Sequence, residues 1–389
     1  WLQGLCSSGP APVPYRVPRP MAESIAALGG RPWPSLAWDW VNVVHAMEVP
    51  IVLGIQDMTP SGFEGVLGFY TEWIHPSVAL TVVVPFLFGL GRRATAIHLT
   101  LTFCASDVAN LLLKCALAGD RPYWASASVR QFPMTCEGGY GLPSGHVQAF
   151  SAVTYFLLTR LRASRAVFAV HALLVIVGAY SRVYTGAHFP SQTLLGWAVG
   201  AAFGVGGQRL LAGPQASRLL GPGTKPLRRA GLLAAFAAAG AAAMVLTYAA
   251  LELVGRDPFA SLAHARAACH SARGVIGLVF ETAAKILGVL LGVAAVALVF
   301  PSVDGPEHTT SAQMARLMTS ARCALAALGV ALHRQAMGRL GEEARALSDG
   351  PDGPASVGIA AALGAAGIML AAPLSLLPLL PSLATPKVR

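Results

Sequence analysis

The chain has 389 residues, of which 54% are hydrophobic and 12% are charged. Soluble proteins carry about 25% charged residues, so this composition excludes a soluble enzyme and a disordered chain and indicates a multi-span membrane protein. The formal charge is +10. However, the basic residues lie in short clusters between apolar runs, as they do in membrane proteins, which excludes nucleic acid as a partner.

The apolar runs predict an all-α polytopic membrane protein with about nine transmembrane helices, since they lack the strict alternation of membrane strands. The predicted spans lie near 76–90, 94–114, 146–159, 165–183, 190–212, 230–253, 274–299, 318–333 and 355–380. Pro76 and Pro85 interrupt the first of these spans. A short amphipathic stretch is predicted over 258–272.

These spans divide the chain into three predicted regions. Residues 1–60 form an N-terminal segment, in which 1–20 are rich in Pro and Gly and are predicted to be disordered or foreign to the native protein. Residues 61–215 form a core with the first five spans. Residues 216–389 form a C-terminal membrane region with the other four spans.

Basic clusters orient the predicted spans. They occur at 92–93, 160–165 and 209–229, which are alternate loops of the first half of the chain. The positive-inside rule makes these loops cytoplasmic. It therefore predicts an N-terminus outside the cytosol and a C-terminus inside it.

The six cysteines form no CxxC pair, so the sequence supports neither a zinc site nor a dithiol redox motif. Cys136 lies in a polar loop, where a disulfide can form, but the sequence does not assign its partner.

Three short segments carry the candidate chemistry. They are Lys114–Pro122 (KCALAGDRP), Pro143–His146 (PSGH) and Ser181–His188 (SRVYTGAH). All three lie at span ends on the predicted non-cytoplasmic side. Ionisable residues at membrane depth are costly, so they mark a candidate functional site.

These segments contain the parts of a phosphate-binding site. Lys114, Arg121 and Arg182 are cations, and guanidinium groups match phosphate oxygens in bidentate geometry. Ser144 and Gly145 stand at a predicted helix start, whose N–H groups and dipole favour a bound anion. A neutral histidine can attack phosphorus and a charged one can protonate a leaving oxygen, so His146 and His188 complete the set.

Each part alone has a plainer interpretation. A single histidine at a span end is more often structural, and an arginine there is more often an interfacial anchor. Pro-Ser-Gly-His alone is also compatible with a capped turn. The three motifs in this order and on one face are hard to obtain by chance, which favours a catalytic site.

The combination resembles the phosphatidic-acid phosphatase and vanadium haloperoxidase superfamily, and within it the glucose-6-phosphatase catalytic subunits. The closer resemblance lies in Gly119–Trp124 (GDRPYW), Gln131–Glu137 (QFPMTCE) and His188–Gln192 (HFPSQ). It covers about residues 95–200, and it implies a helical-bundle catalytic core like that of the PAP2 proteins within 61–215.

The resemblance implies a role for each motif residue. His188 attacks the phosphate and becomes a phosphohistidine, while His146 protonates the leaving oxygen and then activates water. The phosphoryl oxygens are held by Lys114, Arg121, Ser144, Gly145 and Arg182. Gln192 orients His188, at a position where lipid phosphatases of the superfamily have Asp. Neither a metal nor another cofactor is expected.

The resemblance also implies glucose 6-phosphate as substrate, an active site on the lumenal side of the endoplasmic reticulum membrane, and coupling to a glucose-6-phosphate transporter. The alternatives are a lipid phosphate or polyprenyl diphosphate phosphatase with the same core, and a weakly active or non-catalytic paralogue. One departure from the family is Pro122–Ser126 (PYWAS), which lacks a second Trp.

Overall fold

The structure is a computed structural model, and it describes residues 33–89, 92–132, 135–220, 224–256, 260–269 and 286–290. Within these ranges the architecture is helical, as the sequence predicts. The first helices are α1 (Trp33–Met58), α2 (Glu64–Trp73) and α3, a run over 76–89 with a π-helical turn at Ala79–Val83. The remaining helices are α4 (Arg93–Leu117), α5 (Pro122–Ala125), α6 (Gly145–Arg160), α7 (Arg165–Tyr184), α8 (Pro190–Leu211), α9 (Pro214–Leu220), α10 (Pro226–Leu253) and α11 (Ala260–Ala268).

Three helical segments of the described ranges are long and apolar enough to cross a membrane. They are Ala94–Ala125, Arg165–Tyr184 and Leu227–Leu253, and they coincide with three of the predicted spans. The spans predicted at 318–333 and 355–380 lie outside the described residues, and 274–299 is described only at 286–290. The number of nine spans therefore stays a prediction.

A stripe of glycines lets α8 pack closely along α6. A Cβ atom at Gly196 would lie 2.6 Å from the carbonyl oxygen of Ser144, and one at Gly204 would lie 2.6 Å from that of Ala152. Between them, a Cβ at Gly200 would overlap the carbonyl oxygen of Gln148. Small residues four apart allow such close backbone contact between helices. The start of α6 and the start of α8 are thereby held side by side.

Replacing Gly200 with alanine is expected to destabilise the protein by about 1–3 kcal/mol, because the new methyl group would force α6 and α8 apart. Gly206 of the same helix is the matched control, since a Cβ there would meet no atom within 4 Å. Gly206→Ala should leave stability unchanged or raise it by about 0.5–1 kcal/mol. Thermal unfolding of the two variants in detergent makes the comparison, and equal stabilities would contradict the close packing.

Buried polar side chains join α4 to α6 near the start of α6. Asn110 donates from Nδ2 to Gln148 Oε1 at 2.8 Å, and Gln148 donates from Nε2 to the carbonyl oxygen of Ser106 at 2.7 Å. Buried polar groups that are paired in this way define one packing arrangement. The network therefore fixes the position of the first turn of α6 along the axis of α4.

A disulfide joins Cys136, in the loop before α6, to Cys269, which follows α11. The sequence left the partner of Cys136 unassigned, and the structure identifies it as Cys269. The predicted amphipathic stretch at 258–272 contains α11. The disulfide holds α11 beside the loop that carries Cys136.

Candidate active site

The structure brings all the predicted site residues together at one end of the bundle. Lys114 lies in the last turn of α4, Arg121 precedes α5, Ser144, Gly145 and His146 start α6, Arg182 lies in the last turn of α7, His188 lies between α7 and α8, and Gln192 lies in the first turn of α8. All of these residues except Gly145 have buried side chains. The site is therefore built from four helix ends and two loops.

Glu137 is a site residue to which the sequence analysis gave no role. Its carboxylate accepts a hydrogen bond from Arg121 Nη2 at 2.9 Å and another from Arg182 Nη2. Burial raises the pKa of the Glu137 carboxyl, but Arg121 and Arg182 lower it more, so this pKa lies well below its usual range. Glu137 is therefore ionised and holds the two guanidinium groups side by side.

Backbone carbonyl groups of the loop 137–141 orient the other N–H groups of the cations. Arg121 donates from Nε to the carbonyl oxygen of Gly139 at 2.8 Å, and Lys114 Nζ donates to that of Tyr140. Arg121 Nη1 also donates to the carbonyl oxygen of Ala187 at 3.1 Å, beside His188. The cations are thus held in place before any substrate arrives.

Several buried donors at the site have no hydrogen-bond partner among the described residues. They are the Oγ atom of Ser144 and the Nε and Nη1 atoms of Arg182. Buried donors are normally paired, so unpaired ones require an explanation such as a missing ligand. An anion with several oxygens, such as a phosphoryl group, would supply the acceptors.

The tautomer of His188 follows from its neighbours. Its Nδ1 atom lies 2.9 Å from the carbonyl oxygen of Gly141 and 3.1 Å from Gln192 Oε1. Because both neighbours are acceptors, Nδ1 carries the proton and Nε2 presents a lone pair. Nε2 lies 3.5 Å from Arg121 Nη1, on the side of the cations.

His188 is also held in its neutral form. Burial lowers the pKa of its imidazole, and the charges of Arg121 and Arg182 lower this pKa further, well below its usual value. A neutral imidazole with its Nε2 lone pair facing a cluster of cations is suited to attack on phosphorus. The amide oxygen of Gln192 lies beside Nδ1 of His188.

His146 lies in the first turn of α6, at the same site. Its ring makes an edge contact with the ring of His75, with centroids 4.9 Å apart.

Aromatic residues lie beside Arg121. Its guanidinium lies 5.9 Å from the ring of Trp124, which in turn lies 6.1 Å from the ring of Tyr140. Within the described ranges, His, Cys, Asp and Glu side chains form no group of three that could hold a metal ion.

Comparison with known proteins supports the class that the motifs predict. Residues 95–211 match the PAP2 superfamily, so this part of the chain is a PAP2 superfamily domain. The chain is 34% identical over 182 residues to glucose-6-phosphatase catalytic subunit 1 of Haplochromis nubilus, a match that covers 40% of this chain and 51% of that protein. It is 30% identical over 184 residues to glucose-6-phosphatase 2 of Mus musculus, with 40% and 51% covered. It is 32% identical over 151 residues to glucose-6-phosphatase 3 of Homo sapiens, with 33% and 43% covered.

The chain spans about half the length of the curated relatives it matches. No solved structure matches it. The site lies within the PAP2 domain, since Lys114 and Gln192 both fall between residues 95 and 211.

Proposed function

We propose that the chain is a membrane phosphoric monoester hydrolase that acts through a phosphohistidine. The observation that carries this proposal is His188, whose Nε2 lone pair faces a buried cluster of cations. The unpaired donors of Ser144 and Arg182 in the same cluster match the oxygens of a phosphoryl group. Such preorganised donors stabilise the charge that develops in phosphoryl transfer.

The first half of the reaction transfers the phosphoryl group. His188 Nε2 forms a bond to phosphorus, and the bond between phosphorus and the ester oxygen of the substrate breaks. His146, in its protonated form, gives a proton to that oxygen, and the alcohol leaves. Lys114, Arg121 and Arg182 hold the phosphoryl oxygens through both bond changes.

The second half hydrolyses the intermediate. His146 takes a proton from a water molecule, whose oxygen forms a bond to phosphorus as the bond to His188 breaks. Inorganic phosphate leaves and His188 regains its lone pair. Glu137 takes no proton in either half, since its role is to hold Arg121 and Arg182 in position.

Glucose 6-phosphate is the substrate we propose. The similarity to proteins named as glucose-6-phosphatases supports it, as does Gln192 at the position where lipid phosphatases of the superfamily have Asp. The same resemblance supports an active site in the lumen of the endoplasmic reticulum. A lumenal site would depend on a transporter for cytosolic glucose 6-phosphate, and that coupling is part of the proposal.

Phosphate release by the purified full chain in detergent tests the substrate. We expect glucose 6-phosphate to be hydrolysed with a kcat/KM at least about tenfold above that for phosphatidic acid or a polyprenyl diphosphate, a difference of about 1.4 kcal/mol in transition-state binding. A preference for either lipid would support the lipid phosphatase alternative. No release from any of the three would support a non-catalytic paralogue.

A further inference from the structure

Helix α1 lies outside the PAP2 domain, yet three of its polar side chains, two buried and one half-buried, face the loop that carries His188. These side chains are His45, Glu48 and Gln56, and their spacing of 3 and 8 residues puts them on one face of a helix. His45 and Gln56 are each 2% exposed. The sequence analysis gave this segment no function.

Glu48 holds the first turn of α8. Its carboxylate accepts hydrogen bonds from the backbone N–H of Ser191 at 2.9 Å and from the hydroxyl of Ser191 at 2.7 Å. A carboxylate at a helix N-terminus pairs with free N–H groups and with the positive end of the helix dipole. Glu48 therefore fixes the helix turn that contains Gln192.

Gln56 holds the other side of the same loop. It donates from Nε2 to the carbonyl oxygens of Tyr184 at 2.8 Å and Arg130 at 3.0 Å, and its Oε1 accepts from the Arg130 N–H at 3.0 Å. Tyr184 ends α7, two residues after Arg182. The loop between α7 and α8 is thus tied to α1 at both ends.

Two backbone groups and His45 contact the side-chain amide of Gln192. Gln192 Oε1 lies 3.2 Å from the N–H of Phe189, which only donates, and Nε2 lies 2.6 Å from the carbonyl oxygen of Asp120, which only accepts. The remaining N–H of Gln192 points to His45 Nε2 at 3.3 Å. Since Gln192 Nε2 is a donor, His45 Nε2 is the acceptor.

His45 is itself held firmly. Its ring stacks on the ring of Phe189, with centroids 4.7 Å apart and an angle of 16° between the planes. The stack fixes the plane of the imidazole ring, and Nε2 is the ring atom that lies beside the Gln192 amide. The contact completes a chain of hydrogen bonds from His45 through Gln192 to Nδ1 of His188.

We propose that His45 is a positioning residue for His188, an inference that rests on the proposed function. By accepting the second N–H of Gln192, His45 acts together with the Phe189 N–H and the Asp120 carbonyl oxygen to keep the amide oxygen directed at His188 Nδ1. If the amide rotated and its NH₂ group faced Nδ1, the proton of His188 would move to Nε2. The attacking lone pair would then be lost.

Two variants separate this role from packing. His45→Phe keeps a ring on Phe189 but removes the acceptor, whereas His45→Gln places an amide oxygen near the position of Nε2. We expect His45→Phe to lower kcat about tenfold, the effect of one lost hydrogen bond, with KM unchanged within about twofold. His45→Gln should recover most of kcat. Met47→Ala, on the exposed side of α1, is the control and should match the wild type.

The wild type is assayed beside the variants with the same substrate. An inactive wild type would overturn the proposed function and this inference with it. An active wild type with an unchanged kcat in His45→Phe would overturn the inference alone, as would an equal loss in His45→Gln. If His45→Phe does not fold, His45→Met carries the same test. In a Gln192→Ala background, His45→Phe should have no further effect on kcat, and an additional tenfold loss would contradict the chain of hydrogen bonds.

Discussion

Replacing His188 with alanine is expected to abolish phosphate release, with a loss in kcat of at least about 10⁴-fold. Removal of a nucleophile from a covalent mechanism has effects of this size. The substitution would leave the cations in place, so phosphate-ester binding should persist while turnover stops. Phosphate release and the labelling of the protein by a ³²P-labelled substrate measure the two consequences together.

His171 is the matched control for this prediction. It is a buried histidine of α7, and its Nε2 atom lies 3.1 Å from the hydroxyl of Thr154, away from the cations. His171→Ala should remain active and should still take up the label. A phosphoenzyme that persists in His188→Ala would show that another residue is the nucleophile.

Replacing Arg182 with alanine is expected to have the second largest effect, a loss in kcat/KM of about 10²–10³-fold. Arg182 contributes the unpaired Nε and Nη1 donors of the site, and removal of one preorganised donor costs about this much in other enzymes. Arg182→Lys should recover only part of the activity, because an ammonium group lacks the planar fork of a guanidinium. Phosphate release measured at varied substrate concentration gives kcat and KM for each variant.

Measurements of the free energy of unfolding distinguish the role of Arg182 in binding phosphate from its ion pair with Glu137. Glu137 is only 18% exposed and would lose one of its two guanidinium partners, at a cost of about 3 kcal/mol. Adding Glu137→Gln to Arg182→Ala should restore most of that stability without restoring activity. Arg160→Ala, at the exposed end of α6, is the control and should change neither property. An active double variant would contradict the role of Arg182 in binding phosphate.

The sequence was sufficient to predict the candidate site residues because their signals are local. His188 and Gln192 are four residues apart on either side of the start of α8, and Ser144 to His146 are consecutive. Each motif could therefore be interpreted without knowing what it contacts. The apolar runs also predicted the helices, since α4, α7 and α10 need only composition and length to be detected.

Glu137 and His45 were beyond that kind of inference. Glu137 contacts Arg182 across 45 residues of chain, and Gln192 contacts His45 across 147. The sequence around a carboxylate or an imidazole does not indicate which distant residue it will contact. The disulfide could not be predicted either, because Cys136 and Cys269 are separated by 133 residues and several pairings fit the sequence.

The sequence by itself therefore determined the helical membrane class and the candidate catalytic motifs with their order along the chain. The tertiary structure alone decided which charges meet, which tautomer His188 adopts, and that α1 forms hydrogen bonds at both ends of the loop that carries His188. The physical reason is that helix formation and capping depend on neighbours within a few turns. By contrast, the contacts of Glu137, His45 and Gln192 join segments that are far apart in the sequence. They therefore depend on how closely the helices pack against one another, and the glycine stripe of α8 sets that distance for α6 and α8.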